Sequence, residues 1–218
     1  MKNDKAVVLL SGGLDSATTL YLAKEKGFRC SCLIFDYGQR HRREIESAKA
    51  VARAAQVPFR VLKLEFPWKG SALLDKNSRI PRRGKGIPST YVPGRNIVFL
   101  SFVLSCAESI GAAAIFIGAH ALDYSGYPDC RPEFFRAFEK AASCGTKAGL
   151  QKKGIRIERP LVHKNKASII RLGKKLGVPF ALTWSCYRGE RVPCGRCDSC
   201  FYRAKGFREA GLSDPLIK

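Results

Sequence analysis

The sequence predicts an α/β protein, a parallel sheet with helices on both faces in a Rossmann-like arrangement. Short apolar runs alternate with helical patterns through the first hundred residues. Repeated strand–helix–strand units of this kind build a parallel sheet covered by helices. The chain has 218 residues, and a cluster of cysteines lies near its end. We therefore expect a main domain at 1–183 and a small cysteine-bearing appendage at 184–218.

Each predicted element rests on its own pattern. The strands are short apolar runs, and the helices place apolar residues three and four positions apart. Gly27 is positioned to end the first helix. In the first half, strands are predicted at 6–10, 30–35 and 59–64 and helices at 17–26 and 42–55. In the second half, helices are predicted at 95–110, 133–143 and 165–176 and strands at 113–117 and 155–158.

Two irregular insertions interrupt the alternation of strands and helices. Residues 65–93 are rich in proline and glycine, which predicts a long loop or a lid. Loops of this length are usually functional or mobile. Residues 119–132 form a second insertion, rich in aspartate, glycine and proline.

The chain is strongly basic, with a formal net charge of +21. Such an excess attracts nucleic acid, nucleotides or acidic partners, but it also fits a solvated basic surface. The charge is spread along the chain without a basic tail, so we do not expect nucleic acid as a partner. No apolar run approaches the roughly 20 residues that a membrane crossing needs. The N-terminus lacks a secretory pattern, which leads us to expect a cytoplasmic protein without membrane contact.

The segment 11–16, SGGLDS, lies between a predicted buried strand and a predicted helix. Its two glycines allow a tight turn close to an anion, and the helix that follows offers unpaired N–H groups. The segment therefore predicts a phosphate site, although a Ser-Gly-Gly turn can also occur by chance. It has neither the Gly-Lys-Ser/Thr of the Walker loop nor the GxGxxG of dinucleotide-binding proteins.

SGGLDS resembles the pyrophosphate loop (PP-loop) of ATP pyrophosphatases, whose pattern is SGGxDS. The resemblance implies the adenine nucleotide alpha-hydrolase type of fold and transfer of AMP from ATP to a substrate oxygen. It also implies catalytic roles for Asp15 and Ser16, with Asp15 either acting near a Mg²⁺ that lies between it and the phosphates or fixing the loop. Lys166 is a candidate to meet the leaving pyrophosphate, or else a solvated lysine. The expected ATP-binding residues are Leu10, Ser11, Gly12, Gly13, Leu14, Asp15, Ser16, Ala17, Thr18, Arg95 and Asn96. For the last two, capping of the helix that begins there is the competing role.

Four of the nine cysteines cluster late in the chain, at Cys186, Cys194, Cys197 and Cys200. Four thiolates without a histidine suit a closed structural Zn²⁺ site. An iron–sulfur cluster is the main alternative, and unligated cysteines are another. The bacterial ferredoxin run places its fourth cysteine four residues after the third, where this chain has Ala204. Zinc is therefore the favoured metal.

Further motifs are spread over nearly the whole chain. They are FDYGQRHRREIESA at 35–48, YVPGRN at 91–96, DYSGYPDCRPEFFRAF at 123–138 and the cysteine-bearing stretch 184–211. Together these segments resemble the 7-cyano-7-deazaguanine synthase family. The resemblance implies an ATP-dependent carbon–nitrogen ligase that converts 7-carboxy-7-deazaguanine and ammonia to 7-cyano-7-deazaguanine, a precursor of queuosine. It also implies two adenylations in one site and a homodimer.

Within this resemblance, the second insertion is expected to hold the deazaguanine. Asp123 and Asp129 are candidates to accept N–H bonds from its guanine-like edge, because a carboxylate accepts two such bonds well. Turn formation is the competing role for both aspartates. Tyr127 or Phe134 could stack on the ring.

Residues that follow the second strand are also candidates, because parallel sheets bind ligands at the carboxyl ends of their strands. Tyr37 and Gln39 are expected to contact the substrate. His41 could carry a proton for incoming ammonium, since imidazole titrates near neutral pH. A hydrogen-bonding structural histidine is the alternative.

Two other functions stay open at this point. A PP-loop enzyme that thiolates a tRNA base would use the cysteines for a cluster, and the positive charge favours it. A nucleotide-binding regulatory module with a zinc knuckle is the non-enzymatic alternative. Asp15, Lys166 and the two insertions favour a reaction site over passive binding.

Overall fold

The computed structural model describes residues 4–68, 70–75, 77, 87–119 and 127–217. Its strands are β1 (Lys5–Leu9), β2 (Arg29–Asp36), β3 (Phe59–Lys63), β4 (Ala114–Ile117) and β5 (Arg156–Glu158). Its helices are α1 (Leu14–Glu25), α2 (Arg43–Ala54), α3 (Arg95–Ser109), α4 (Pro132–Gly145), α5 (Lys147–Leu150), α6 (Lys166–Lys175) and α7 (Asp198–Ala210). Every strand and helix predicted from the sequence is present, with ends shifted by at most a few residues.

The five strands form one parallel sheet in the order β3-β2-β1-β4-β5. In the central strand, Val8 is in register with Cys32 on one side and with Phe116 on the other. The chain leaves β1 toward β2 and later returns to the other side of β1 as β4. The strand order therefore reverses between β1 and β4, and ligands of such sheets bind at the carboxyl ends of the strands at this point.

Helices cover both faces of the sheet, as predicted. Ala6 and Val8 of β1 pack into a core with α1, α2 and α6. Val7 and Leu9 pack into a second core with α3 and α4. Because β1 is buried on both faces, its sequence is continuously apolar rather than alternating.

The last part of the chain contains α7, a helix that the sequence pattern did not predict. Its Phe207 joins the core beneath α1 and α6, and its ring meets that of Phe180 edge-on at 5.4 Å. Trp184 and three of the four clustered cysteines form a separate small buried group. This group begins at the predicted boundary between 1–183 and 184–218, while α7 also packs on the main domain.

The two insertions are only partly described. In the described residues of 65–93 there is no helix or strand, and Leu73 is buried against the sheet. In 119–132 the described residues include a short 3-10 turn at Pro128–Cys130. Asp123, a predicted substrate residue, lies outside the described residues. Among the described helices, none is both long enough and apolar enough to cross a membrane.

Candidate active site

A cavity of about 290 Å³ opens where the strand order reverses. The loop after β1, the carboxyl ends of β2 and β4, and the start of α3 form most of its wall. Residues from the cysteine-bearing appendage complete the wall. Twelve of the predicted site residues line it, namely Leu10, Ser11, Gly13, Leu14, Asp15, Ser16, Tyr37, Gln39, Arg95, Asn96, Tyr127 and Lys166.

Gly12 and Gly118 let the loop after β1 pack without side chains in the way. Gly12 has φ of +87°, and a Cβ there would lie 2.3 Å from the Glu44 carbonyl oxygen. A Cβ at Gly118, just after β4, would lie 2.9 Å from the Ser16 nitrogen. The loop is therefore held between the first turn of α2 and the end of β4.

The two serines of the loop bond to each other and to the backbone. The Ser16 hydroxyl donates to the Gly13 carbonyl at 3.0 Å and accepts from the Ser11 N–H at 3.2 Å. Gly13 is the N-cap of α1 and has no side chain with which to cap this helix. The start of α1 therefore faces the cavity with the positive end of the helix dipole, which suits the anion site that the sequence predicted.

Lys166 and Asp15 form an ion pair beside the loop. The Lys166 Nζ lies 2.8 Å and 3.0 Å from the two carboxylate oxygens of Asp15. Lys166 is the first residue of α6, and Asn165 caps that helix by accepting from the Ser168 N–H at 2.8 Å. The pair places one cation and one anion at the phosphate end of the cavity.

Tyr37 and Gln39 shape the turn that follows β2. The Gln39 side chain accepts from the Tyr37 N–H at 2.8 Å and donates to the Phe35 carbonyl at 3.2 Å. Arg95 donates to the Tyr37 hydroxyl at 3.4 Å. Burial raises the pKa of Tyr37, so its phenol stays protonated at neutral pH.

Tyr127 lies at the same end of the cavity. Its hydroxyl is 2.7 Å from the Thr90 hydroxyl, and burial raises its pKa. Arg95 interacts electrostatically with both tyrosines. This end of the cavity therefore combines two neutral phenols with one guanidinium.

Asp129 lies behind the cavity wall and caps α3. Its carboxylate accepts from the Asn96 N–H at 3.1 Å, and the Asn96 side chain donates to the Asp129 carbonyl at 3.2 Å. The side chain is 4% exposed and is not among the residues that line the cavity. Asp129 also lies in the 3-10 turn at Pro128–Cys130, which is the turn-forming role given as its alternative, whereas the capping of α3 was not predicted.

Other predicted residues also lie away from the cavity lining. The Phe134 ring packs beside Phe135 and Phe138 on α4. Gly12 is buried within the loop, Ala17 is buried on α1, and the Thr18 hydroxyl donates to the Leu14 carbonyl at 2.8 Å. The structure therefore gives these residues packing contacts rather than a place in the cavity wall.

His41 is packed under the appendage. A Cβ at Gly189 would lie 2.2 Å from its Cβ, and burial lowers the pKa of the imidazole. Its Nδ1 is buried and has no hydrogen-bond partner among the described residues. The imidazole is not among the residues that line the cavity, and its predicted role as a proton carrier stays a prediction.

Glu44 lines the cavity and was not singled out from the sequence. It lies on the first turn of α2, within the segment that follows β2. Burial raises its pKa to about 7, with an opposing contribution from Arg95. Glu44 could have been predicted as a site residue because it follows the carboxyl end of β2, where parallel sheets bind ligands.

The appendage contributes further cavity residues that sequence reasoning missed. Ser185, Tyr187, Ser199 and Tyr202 all line the cavity. The sequence analysis treated 184–218 as an appendage separate from the catalytic domain, so it did not predict that these four residues would line the cavity.

The four clustered cysteines meet in space. The Sγ atoms of Cys186, Cys194, Cys197 and Cys200 all lie within 4.8 Å of one another. A tetrahedral site with Zn–S bonds of about 2.3 Å has sulfurs about 3.8 Å apart. The Cys194 and Cys200 sulfurs are 4.0 Å apart, and the Cys186 sulfur accepts backbone N–H bonds from Arg188 and Cys194 at 3.4 Å each. The geometry and the all-thiolate donor set fit a closed metal site.

Trp184 connects this cluster to the phosphate loop. Its backbone N–H donates to the Gly12 carbonyl at 2.9 Å, and its indole N–H donates to the Cys186 carbonyl at 2.8 Å. The Arg43 guanidinium lies 4.6 Å from the centre of the indole ring. One residue thus contacts the loop, the metal-ligand segment and α2.

Comparison with known proteins assigns this arrangement to a family. The model of the queuosine biosynthesis protein QueC family matches residues 5–211. The chain belongs to this family. The resemblance to the 7-cyano-7-deazaguanine synthase family noted from the sequence segments is confirmed by this match together with the relatives below.

Relatives with established names agree with the QueC assignment. The 7-cyano-7-deazaguanine synthase of Thermoplasma volcanium is 52% identical over 217 residues, which cover 97% of this chain and 90% of that protein. The protein of the same name from Stutzerimonas stutzeri is 52% identical over 220 residues, covering 99% of this chain and 98% of that one.

Solved structures show how far the fold extends beyond the QueC family. The U34-tRNA thiolase NcsA from Methanococcus maripaludis matches 94% of this chain and 65% of its own, with a TM-score of 0.51 and 16% identity. The NMN synthetase from Francisella tularensis matches 99% and 81%, with a TM-score of 0.52 and 14% identity. At this identity the likeness concerns the fold alone, and it confirms the predicted fold class.

Proposed function

We propose that this QueC-family chain is a ligase that converts 7-carboxy-7-deazaguanine and ammonia to 7-cyano-7-deazaguanine at the expense of ATP. One observation carries the proposal: a single cavity joins the SGGLDS loop to an end lined by Tyr37, Arg95 and Tyr127. The loop suits a triphosphate, and the aromatic and charged end suits a heterocycle. Identity of 52% with relatives of that name over nearly the whole chain supports the substrate.

The first half of the reaction makes an amide. A substrate carboxylate oxygen attacks the α-phosphorus of ATP, and pyrophosphate leaves. Ammonia then attacks the acyl carbon of the adenylate, AMP leaves, and one proton is released. The N–H groups at the start of α1 and the Lys166 ammonium would stabilise the charge on the phosphates and the departing pyrophosphate.

The second half removes the amide oxygen. That oxygen attacks the α-phosphorus of a second ATP, pyrophosphate leaves, and the nitrogen loses a proton. The resulting imidate adenylate releases AMP and its remaining N–H proton to give the nitrile. Both halves need the same alignment of an oxygen with the α-phosphorus, so one site can serve both through positioning.

Two metals belong to the proposal. Mg²⁺ prefers carboxylate and phosphate oxygens, and Asp15 is the loop carboxylate that could hold it with the nucleotide, where it would neutralise phosphate charge. Zn²⁺ fits the four cysteines, because four thiolates fill a tetrahedral site and leave no open position for catalysis. Its role would be structural.

A cytoplasmic location and a homodimer also remain parts of the proposal. Both come from the sequence and the family resemblance. Sedimentation of the purified protein measures the oligomeric state directly, and a monomer at micromolar concentration would contradict the dimer.

The deciding experiment supplies purified protein with ATP, Mg²⁺, ammonium and 7-carboxy-7-deazaguanine and identifies products by mass. The proposal expects the nitrile, with two AMP released for each nitrile formed. AMP release that requires added tRNA would instead indicate base modification. Asp15→Ala should abolish both products if the loop is the site.

A further inference from the structure

Glu44 occupies a position in the cavity that the reaction scheme above does not use. It lies on the first turn of α2, and its carbonyl oxygen is the closest neighbour of a Cβ built at Gly12. The turn that carries Glu44 is therefore fixed against the phosphate loop. Resting on the proposed function, we propose that the Glu44 carboxylate recognises the guanine-like edge of the substrate by accepting its ring N–H and its exocyclic amino group.

Other carboxylates near the cavity are already engaged. Among the described residues, Asp15 and Glu44 are the carboxylates that line it. Both oxygens of Asp15 accept from Lys166, at 3.0 Å and 2.8 Å. Asp129 is behind the wall and caps α3. Glu44 is thus the described cavity carboxylate available to a neutral ligand with N–H donors.

The surroundings of Glu44 suit such a ligand. Its electrostatic neighbours are Arg95 and Cys186, and neither forms a hydrogen bond or ion pair with it in the described part of the chain. Burial has removed part of its hydration and raises its pKa to about 7. Two N–H donors from a ligand would replace the lost water and stabilise the charged form.

Glu44 and Arg95 together match the polarity of the guanine edge. That edge presents two N–H donors beside a carbonyl acceptor, and the cavity offers an acceptor near a donor. Tyr37, hydrogen-bonded to Arg95 at 3.4 Å, supplies an aromatic wall beside them. Adenine presents a ring acceptor beside its amino donor, so this end of the cavity favours the deazaguanine over the adenine of ATP.

The test compares the natural substrate with its analogue that lacks the exocyclic amino group. In the unaltered protein, the lost hydrogen bond should lower kcat/KM by about 10- to 100-fold. Glu44→Gln replaces the carboxylate, which accepts two N–H bonds, by an amide with a single acceptor oxygen. In this variant the ratio of kcat/KM between the natural substrate and the analogue should fall to within about threefold, mainly through a higher KM for the natural substrate. Glu46→Gln is the matched control, because that exposed side chain on the same helix pairs with Lys49 at 2.9 Å.

Several outcomes decide the matter. If Glu44→Gln keeps the full preference, or loses kcat while KM and the preference stay unchanged, Glu44 does not read the guanine edge. ATP binding and thermal unfolding of the variant, measured separately, show whether it is folded; if it is not, Glu44→Asp is tested in its place by the same ratio. If the unaltered protein forms no nitrile at all, the proposed function fails instead.

Discussion

The backbone N–H of Trp184 donates to the carbonyl oxygen of Gly12 at 2.9 Å. This bond joins the cysteine-bearing part of the chain to the phosphate loop. The Trp184 indole N–H also donates to the Cys186 carbonyl, so the conformation of the cysteine cluster bears directly on the loop. Metal binding and nucleotide binding are therefore expected to be linked.

Loss of the metal should weaken ATP binding. Cys200→Ser removes one of four thiolates, and the freed segment should release Trp184 from Gly12. We expect the bound metal to be lost and the ATP affinity to fall by about tenfold or more, because groups that support a site typically have effects of this size. Metal analysis measures the bound metal, and calorimetric titration measures the affinity for ATP. Cys144→Ser, an exposed cysteine outside the cluster, is the control. Unchanged ATP affinity in metal-free protein would show that the two sites are independent.

Gly12→Ala should destabilise the protein more than Gly27→Ala, which introduces a similar backbone strain. Gly12 and Gly27 both have positive φ, of +87° and +83°, but only the Gly12 position is crowded. Both variants carry a strain of about 1 kcal/mol, and at Gly12 the clash with the Glu44 carbonyl adds about 1–3 kcal/mol. Urea unfolding of the two variants gives the difference directly. An equal decrease in the free energy of unfolding for both variants would mean that the loop can move away from α2 without cost.

Replacement of Lys166 should slow the chemical step. Lys166→Met removes a cation from the phosphate end and should lower kcat by about 100-fold, as loss of one stabilising donor does. Lys174→Met, an exposed lysine near the other end of α6, should leave kcat unchanged. Combining Lys166→Met with Asp15→Asn should raise the activation free energy by less than the sum of the two single changes, because the two side chains interact at 2.8 Å. If the effects of the two changes were strictly additive, Lys166 and Asp15 would act independently of each other.

The buried pair of Arg203 and Asp214 should matter greatly for stability. Their side chains are 3% and 5% exposed, and the Arg203 Nε lies 2.7 Å from Asp214. Asp214→Asn leaves the guanidinium buried without its counter-charge and should cost about 3–5 kcal/mol. The exposed Lys205–Glu209 pair offers a contrast, and Glu209→Gln should cost less than about 1 kcal/mol. Denaturant unfolding at constant pH checks both, and similar costs would refute the argument from burial.

The sequence allowed the sheet, the phosphate loop and the cysteine cluster to be predicted because each depends on local pattern. The buried strand before SGGLDS and the helix after it are visible as hydrophobic periodicity. The spacing of Cys194, Cys197 and Cys200 implies that their sulfurs can meet. The structure brings Lys166, which is distant in sequence, onto Asp15 at 2.8 Å.

Some residues lie elsewhere than the sequence analysis expected, because their positions depend on how helices, strands and loops pack together. Whether Asp129 points at a ligand or at the N-terminus of α3 is decided by the approach of two segments 33 positions apart. Glu44 reaches the cavity because Gly12 allows α2 to come close. His41 is covered by Gly189, which belongs to the appendage. No local pattern reports these contacts.

The position of the appendage has a consequence for the order in which the protein becomes functional during translation. The last strand of the sheet ends at Glu158, whereas Ser185, Ser199 and Tyr202 complete the cavity wall. A nascent chain thus has its phosphate loop and the whole sheet before it has the complete cavity wall. We therefore expect ATP turnover only after these last wall residues have been synthesised and Trp184 has reached Gly12.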